Sequence, residues 1–386
     1  WAAVDSNIRL FIAAAETLSS PTIVSTYLRD IDDPVRTEGM RLMSQRYIPD
    51  SYMLQQLVYT SVGTQNKPRF MPMGLDVLAV LGSERARELL VELYQQDQYK
   101  NYLTQLDKLT EEFGRLTEED WNRNAYFGWL YALKLNLEPV PLARSHPLVA
   151  RFTQSEAYPD KTLISSGGSW AELRHDTILY AKQSYTMAAT AMADEPEEPP
   201  PDIAYVEPKP AVFRQLARLS SDLLDNLKGL SNNQVRARLE EFEAVNTHLA
   251  RIAQDELDGR NMSPTDAAFC KGIGLRLKDL TTWERVNEEA EDYWERYQND
   301  EDDRMAVVAD VHTDVNKGEV LEEAVGNPLM LYAVVRFQGR DFLAVGGMFS
   351  WYEFTRPMDQ RMTDAEWQGL EPKPDLPEWS KSFVAR

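Results

Sequence analysis

Near residue 304 the spacing of the apolar residues changes from the 3.6 of a helix to the 2 of a strand, so the chain must fold in two idioms. Upstream, "SNIRLFIAAAETL", "AVFRQLARLSSDLLDNL" and "SNNQVRARLEEFEAVNTHLARIAQDEL" carry apolar residues at helical spacing, the last with Ser231 as its cap. "SSPTIVSTYLRDI" opens with Ser19, Ser20 and Pro21, a cap followed by proline at the first helical position. "LDVLAVLGSERARELLVELY" reads as two helices broken at Gly82 and Ser83, and "LTEEDWNRNAYFGWLYALKLNL" opens with Thr117 and Asp120 at capping-box spacing. Downstream of the acidic turn "NDEDD", the words "MAVVADVHTDV", "EVLEEAVG", "LMLYAVVRF" and "FLAVGGMFSWYEF" alternate as strands. "NKG" at 316–318 turns the first hairpin and "QGRD" the second. A helix opened by Thr363 and Glu366 follows.

These signals predict an α+β fold, predominantly α-helical, with a small C-terminal antiparallel β-meander of about four strands packed on the helices. A meander this small does not stand alone, so it is expected to dock on the helical body. The expected divisions are a helical region 1–193, an acidic proline-rich loop or linker 194–210, a helical region 211–303, and the meander with its C-terminal helix 304–386. The linker is marked by "DEPEEPPPD", which can neither pack a core nor hold a helix. It is expected to be mobile, and nicking there is expected to leave the fold assembled. No internal repeat is visible.

Charge narrows the partners. Against 62 acidic residues stand 41 basic ones, a net charge of −21, and no Lys/Arg-rich run breaks the pattern. Such a surface repels polyanions, which excludes nucleic acid and electrostatic docking on anionic lipid. The partner is then a protein or a small molecule. No run of about 18 apolar residues is present, so no transmembrane segment is expected. The chain opens on Trp1, and any targeting signal would lie ahead of it. Cys270, the lone cysteine, sits in apolar "AAFCKGIGLRL" and reads as a small buried hydrophobe. His146 and His248 read as surface residues. The aromatic words "YFGWLYAL" and "FSWYEF" read as core.

Two words can carry chemistry. In "GSWAELRHD", Glu172, His175 and Asp176 stand at i, i+3 and i+4, so one helical turn presents all three, an arrangement suited to acid/base work or a metal. Ser169 and Glu172 at S-x-x-E spacing account for Glu172 equally well as half of a capping box. In "ADVHTD", Asp310, His312 and Asp314 fall two apart, so a regular strand turns all three to one face. That face is either a polar, wet side or a metal comb for Zn²⁺, Mn²⁺, Fe²⁺ or Ca²⁺, with Glu322 or Glu323 added from the returning strand according to register. A site, if built, is expected to draw on both words, with the helix laid over the strand so that His175 or Asp176 stands above His312. HExxH, GxSxG, the P-loop and the Rossmann glycine pattern are all missing.

The segments "QRYIPDSYMLQQLV", "RFMPMGLDVLAVLGSERA", "GSWAELRHDTILYAKQSY", "VADVHTD", "VLEEAVG" and "FSWYEF", in that order and spread over nearly the whole chain, resemble the bacterial and archaeal family catalogued as domain of unknown function 3160. The resemblance implies a longer protein with a further N-terminal part and an extracytoplasmic setting, periplasm or cell surface, where a lipid anchor would sit on that N-terminal part. It implies a compartment rather than a reaction. Three functions follow as expectations: an extracytoplasmic, non-catalytic binding or accessory protein with a pocket between helices and meander; a metal-dependent hydrolase, such as a peptidase, built from the two words; and a carboxylate glycosidase.

Overall fold

The computed structural model describes residues 48–140, 150–178, 204–228, 233–286, 297–301, 306–337 and 340–384, and the statements below concern these. The chain divides into units 1–52 and 53–386. "SNIRLFIAAAETL", the Ser20–Pro21 start, His146, "DEPEEPPPD" and the Ser231 cap lie outside the described residues.

Helix α1 (Pro49–Gln56) is followed by a short ribbon, β1 (Gly63–Thr64) with β2 (Lys67–Pro68). The break read at Gly82 is real: α2 (Gly74–Val80) ends there, Gly82 takes φ 106°, and the Ser83 hydroxyl accepts from the Ala86 N–H to start α3 (Glu84–Glu88). A π-helical turn, Leu89–Leu93, continues it. Helix α4 (Tyr102–Gly114) buries Tyr102, Leu106, Leu109 and Phe113, one face at helical spacing. The capping box at Thr117 and Asp120 forms as expected and opens α5 (Glu118–Trp121), and α6 (Ala125–Leu137) follows behind its Asn124 cap. Next come α7 (Ala150–Thr153), the long α8 (Ala157–Ile178), α9 (Pro210–Asn226), α10 (Asn233–Leu257), α11 (Pro264–Lys271) and α12 (Ile273–Thr281).

The strands are antiparallel throughout. A ribbon of β3 (Thr282–Val286) and β4 (Tyr297–Glu301) falls inside the stretch read as helical, with β4 built from part of the acidic "NDEDD" word. The C-terminal strands β5 (Val307–Asp314), β6 (Glu319–Val325), β7 (Leu329–Phe337), β8 (Arg340–Met348) and β9 (Tyr352–Pro357) do not run as one meander. They form a three-stranded sheet in the order β5–β6–β9 and a separate β7–β8 hairpin inserted between β6 and β9. The word "FLAVGGMFSWYEF" is cut at Phe349–Trp351, and its second half folds back onto β6. Gly318 takes φ 71° in the β5–β6 turn, as the "NKG" word requires. Helix α13 (Asp364–Gly369) begins with the expected Thr363–Glu366 capping box, and a 3₁₀ turn spans Glu378–Ser382.

The chain is α+β and mostly helical, as its periodicity predicts. Helix α8 is the hinge of the packing: it lies on β5 and β6 on one side and on α2, α3 and α6 on the other. Helix α6 in turn meets α9, and α9 pairs with α10. The β5–β6–β9 sheet is covered on both faces. Val307 and Val325 pack with Ala171 of α8, while Val308 and Ala324 pack with Trp367 of α13. Such double cover explains why β6 is buried almost end to end.

Candidate functional site

Strand β5 carries a bulge between Asp310 and His312: Asp310 pairs with Glu322, but His312 pairs with Leu321. One extra residue, Val311, shifts the alternation by one. Asp310 and Thr313 therefore share the α13 side, where Arg361 reaches both the Asp310 carboxylate and, at 3.0 Å, the Thr313 hydroxyl. His312 and Asp314 turn to the opposite face. The expectation of one face for Asp310, His312 and Asp314 thus fails, because strand alternation holds only while the register does.

Each of these side chains has a partner, although Asp314 Oδ2 and Glu322 Oε2 are buried with none among the described residues. His312 Nε2 lies 3.1 Å from the Phe70 carbonyl, so the proton sits on Nε2, and burial holds the imidazole below its usual pKa. The Asp314 carboxylate accepts from the Asn316 N–H at 2.9 Å, an Asx turn that shapes the β5–β6 hairpin. Glu322 accepts from the Met362 N–H at 2.8 Å, and burial pushes its carboxyl up. Among the described residues no three His, Cys, Asp or Glu side chains converge as a metal would require.

The helical word is displaced too. Ser169 does not cap a helix start, because α8 begins twelve residues earlier at Ala157 and runs straight through Gly167 and Gly168. The Ser169 hydroxyl instead accepts from the Trp129 indole at 3.0 Å. The helix tolerates the two glycines because the chain at Phe349–Trp351 presses against it: a Cβ at Gly167 would strike the Trp351 ring, and one at Gly168 would lie 2.6 Å from Phe349 Cβ. His175 sits between Asp176 (Nδ1, 3.0 Å) and Asp364 (Nε2, 2.8 Å), and Asp364 also accepts from the Val308 N–H at 3.1 Å. Arg174 donates to the Val311 carbonyl at 3.4 Å, the very residue of the bulge. The two words are therefore brought together, helix over strand as expected, but His175 and His312 serve different partners.

What fills the seam between α8, α2 and the sheet is a pair of acids. Glu323 of β6 and Glu353 of β9 stand directly opposite in register and face the helices. Glu323 is fully buried, and its Oε2 accepts from the Trp351 indole at 2.6 Å. Glu353 accepts from the Gly74 N–H at the first turn of α2. Burial, and then the Glu353 charge, push the Glu323 carboxyl well above its usual range, and burial raises Glu353 as well. Beside them Arg69 and Asp76, both buried, pair at 2.7 Å, and the Tyr102 hydroxyl donates to Asp76 at 2.6 Å. Glu323 stood among the candidates in the sequence, but Glu353, Arg69 and Asp76 did not. The signal for Glu353 was present: in "SWYEF" an acid occupies the same strand face as Trp351, an aromatic-rich position where a charge needs a partner. Both acids are hydrogen-bonded, Glu323 by the Trp351 indole and Glu353 by the first turn of α2.

Open surface lies elsewhere. A groove of about 510 Å³ runs between α10 and α11–α12, over Val245, Ala268 and Phe269. His248 stacks on Phe269 there with ring centroids 4.0 Å apart and bonds Asp266 at 2.7 Å, so it is half-buried rather than a free surface residue. Cys270 is partly buried, packs on the Val206–Ile252–Ala253 cluster as a small hydrophobe, and burial pushes its thiol up to about 11. The β7–β8 hairpin is the more unusual surface. On one face Met330 (64 %), Tyr332 (60 %), Val334 (43 %), Leu343 (61 %) and Val345 (58 %) are exposed together, with Tyr332 opposite Val345 and Val334 opposite Leu343. On its other face Ala333 and Val335 are buried. Among the described residues neither outer edge of the hairpin is paired.

No helix of the described residues is long and apolar enough to cross a membrane. No curated protein and no solved structure matches the chain. A family model does, over residues 1–380, and the chain belongs to that family, described as protein of unknown function (DUF3160).

Proposed function

We propose that this protein is a non-catalytic, extracytoplasmic binding protein that takes up an extended, basic segment of another protein along the β7–β8 hairpin. The apolar face of that hairpin is the observation that carries the reading. Contiguous exposed hydrophobes of this size mark interaction surfaces, and an open strand edge accepts a further strand through backbone hydrogen bonds. The net charge of −21 favours a basic partner and opposes a second copy of the chain. The family resemblance, which implies an extracytoplasmic setting, supports the compartment. His175 is engaged by Asp364, His312 by the Phe70 carbonyl and Glu323 by the Trp351 indole, which supports binding over catalysis.

The test uses two synthetic peptides, an alternating lysine–valine strand and its glutamate–valine counterpart, titrated into the full chain by calorimetry. The lysine–valine peptide is expected to bind, to weaken as salt rises, and to lose at least about tenfold in affinity with Leu343→Lys or Val334→Lys, since each places a charge on the apolar face. Equal binding of both peptides, or no effect of either substitution, would overturn the reading. A dimer of the native chain that Leu343→Lys dissolves would assign the face to a second copy instead.

A further inference from the structure

We propose that Glu323 and Glu353 share a single proton across the β6–β9 ladder and form a pH-sensitive latch between the sheet and the first turn of α2. The argument begins with register. Directly opposed residues on neighbouring strands bring their side chains together, and here both are acids on the buried face. Two adjacent carboxylates cannot both be charged without strong repulsion in a buried site. One proton turns that repulsion into a charge-assisted hydrogen bond.

The donors around the pair say where the proton sits. Glu353 accepts from Gly74 and therefore behaves as the carboxylate. Glu323 accepts from Trp351 through Oε2, while its Oε1, fully buried, has no donor among the described residues. A proton on Oε1 gives that atom a role, donating to Glu353. Gly74 permits the approach, since a Cβ there would lie 2.7 Å from Glu323 Oε1 and 2.6 Å from the Trp351 ring.

The surrounding charges agree. Arg174 faces the pair from α8, Asp76 from α2, Arg69 from the segment before α2, and the Tyr94 phenol lies near Glu353 from the end of the π-helical turn. Arg69 and Arg174 are balanced by Asp76 and one glutamate. A second ionised glutamate leaves the seam with an uncompensated negative charge.

The direction of the pH effect follows. The folded chain holds this proton more tightly than the unfolded chain, where the carboxyl returns to its ordinary value near 4.5. The latch therefore contributes in full below that value and drains away as pH climbs through the pair's own titration. Between the unfolded value and that titration the unfolding equilibrium constant rises by about tenfold per pH unit for the one proton involved, and above it the slope vanishes.

The experiment is urea denaturation of the native chain and of Glu323→Gln across roughly pH 5 to 10. Glutamine is isosteric with the protonated acid: its oxygen accepts from Trp351 and its amide donates to Glu353. Glu323→Gln is thus expected to fold, to match the native chain at low pH, and to lose the part of the alkaline slope that belongs to the pair. Glu256 of α10, pushed up to about 8 by burial, supplies an alkaline slope of its own, so the readout is the difference between the two profiles. Glu353→Gln, which removes the like charge, is the second variant and is expected to shed the same slope. Superimposable profiles of native and both variants would overturn the proposal. So would failure of Glu323→Gln to fold, because a neutral isostere must be tolerated wherever a neutral acid stands.

Discussion

Asp76 shows what a buried charge in this protein demands. It is fully buried and accepts from the Arg69 guanidinium, the Tyr102 hydroxyl and the Met73 N–H. Removing it leaves Arg69, itself 1 % exposed, as a buried cation without its counter-charge. Asp76→Ala is therefore expected to cost about 3–5 kcal/mol, read from the urea midpoint at neutral pH, and a loss below about 1 kcal/mol would mean that water reaches the seam. His312 gives a pH signature opposite to that of the glutamate pair. Its imidazole is held neutral by burial, so its contribution is present above the ordinary value of 6.5 and fades as pH falls below it. His312→Gln, which keeps a donor toward Phe70, is expected to flatten the acid side of the stability profile between about pH 6.5 and 5. An unchanged acid limb would place that slope in other groups. Neither role was legible from spacing. "ADVHTD" announced a two-residue period, and a single bulged residue, invisible to alternation, sent Asp310 to one face and His312 to the other.

At the scale of elements, α8 holds the two halves of the architecture together, and its paired glycines decide how closely. In an isolated helix each glycine costs about 1 kcal/mol relative to alanine. Here the cost is offset by the approach of Trp351 and Phe349, which no side chain at Gly167 or Gly168 would allow. Gly167→Ala is therefore expected to destabilise by about 1–3 kcal/mol through overpacking, despite its better propensity. Gly274→Ala in α12, where a Cβ would meet nothing within 4 Å, is expected to stabilise by about 0.5–1 kcal/mol. Thermal melts of the two variants should move in opposite directions, and a common direction would refute the packing account. The same glycines explain a misreading. "GGSWAE" offers a break followed by a cap and an acid, the local grammar of a helix start, and only the distant Trp351 makes it mid-helix. Local punctuation was reliable where no such partner intervened, as at Thr117, Ser83, Thr363 and Gly318.

For the molecule as a whole, the change of apolar period near residue 304 was sufficient to read the class, mostly helical with an antiparallel C-terminal sheet. It could not show that β9 would return to β6, since alternation records faces and not neighbours. Nor could it show that "LMLYAVVRF", apolar on both sides, would leave one side open. The bonds that close the seam join residues far apart in the chain: Gly74 with Glu353, 279 residues on, Phe70 with His312, His175 with Asp364, and Asp160 with Ser382. A chain ending at residue 350, lacking Trp351, Glu353 and Asp364, is expected to keep helical circular dichroism but to lose its aromatic near-ultraviolet signal and its cooperative urea transition. A cooperative transition in that fragment would show that the helical body closes by itself. The length of that reach also sets a clock. At about 5–20 residues per second of synthesis, the first turn of α2 waits roughly 14 to 56 s for the glutamate that 279 residues place behind it. Throughout that interval Arg69 and Asp76 have each other but not the sheet that buries them, and the nascent helices must stay soluble with their inner faces uncovered.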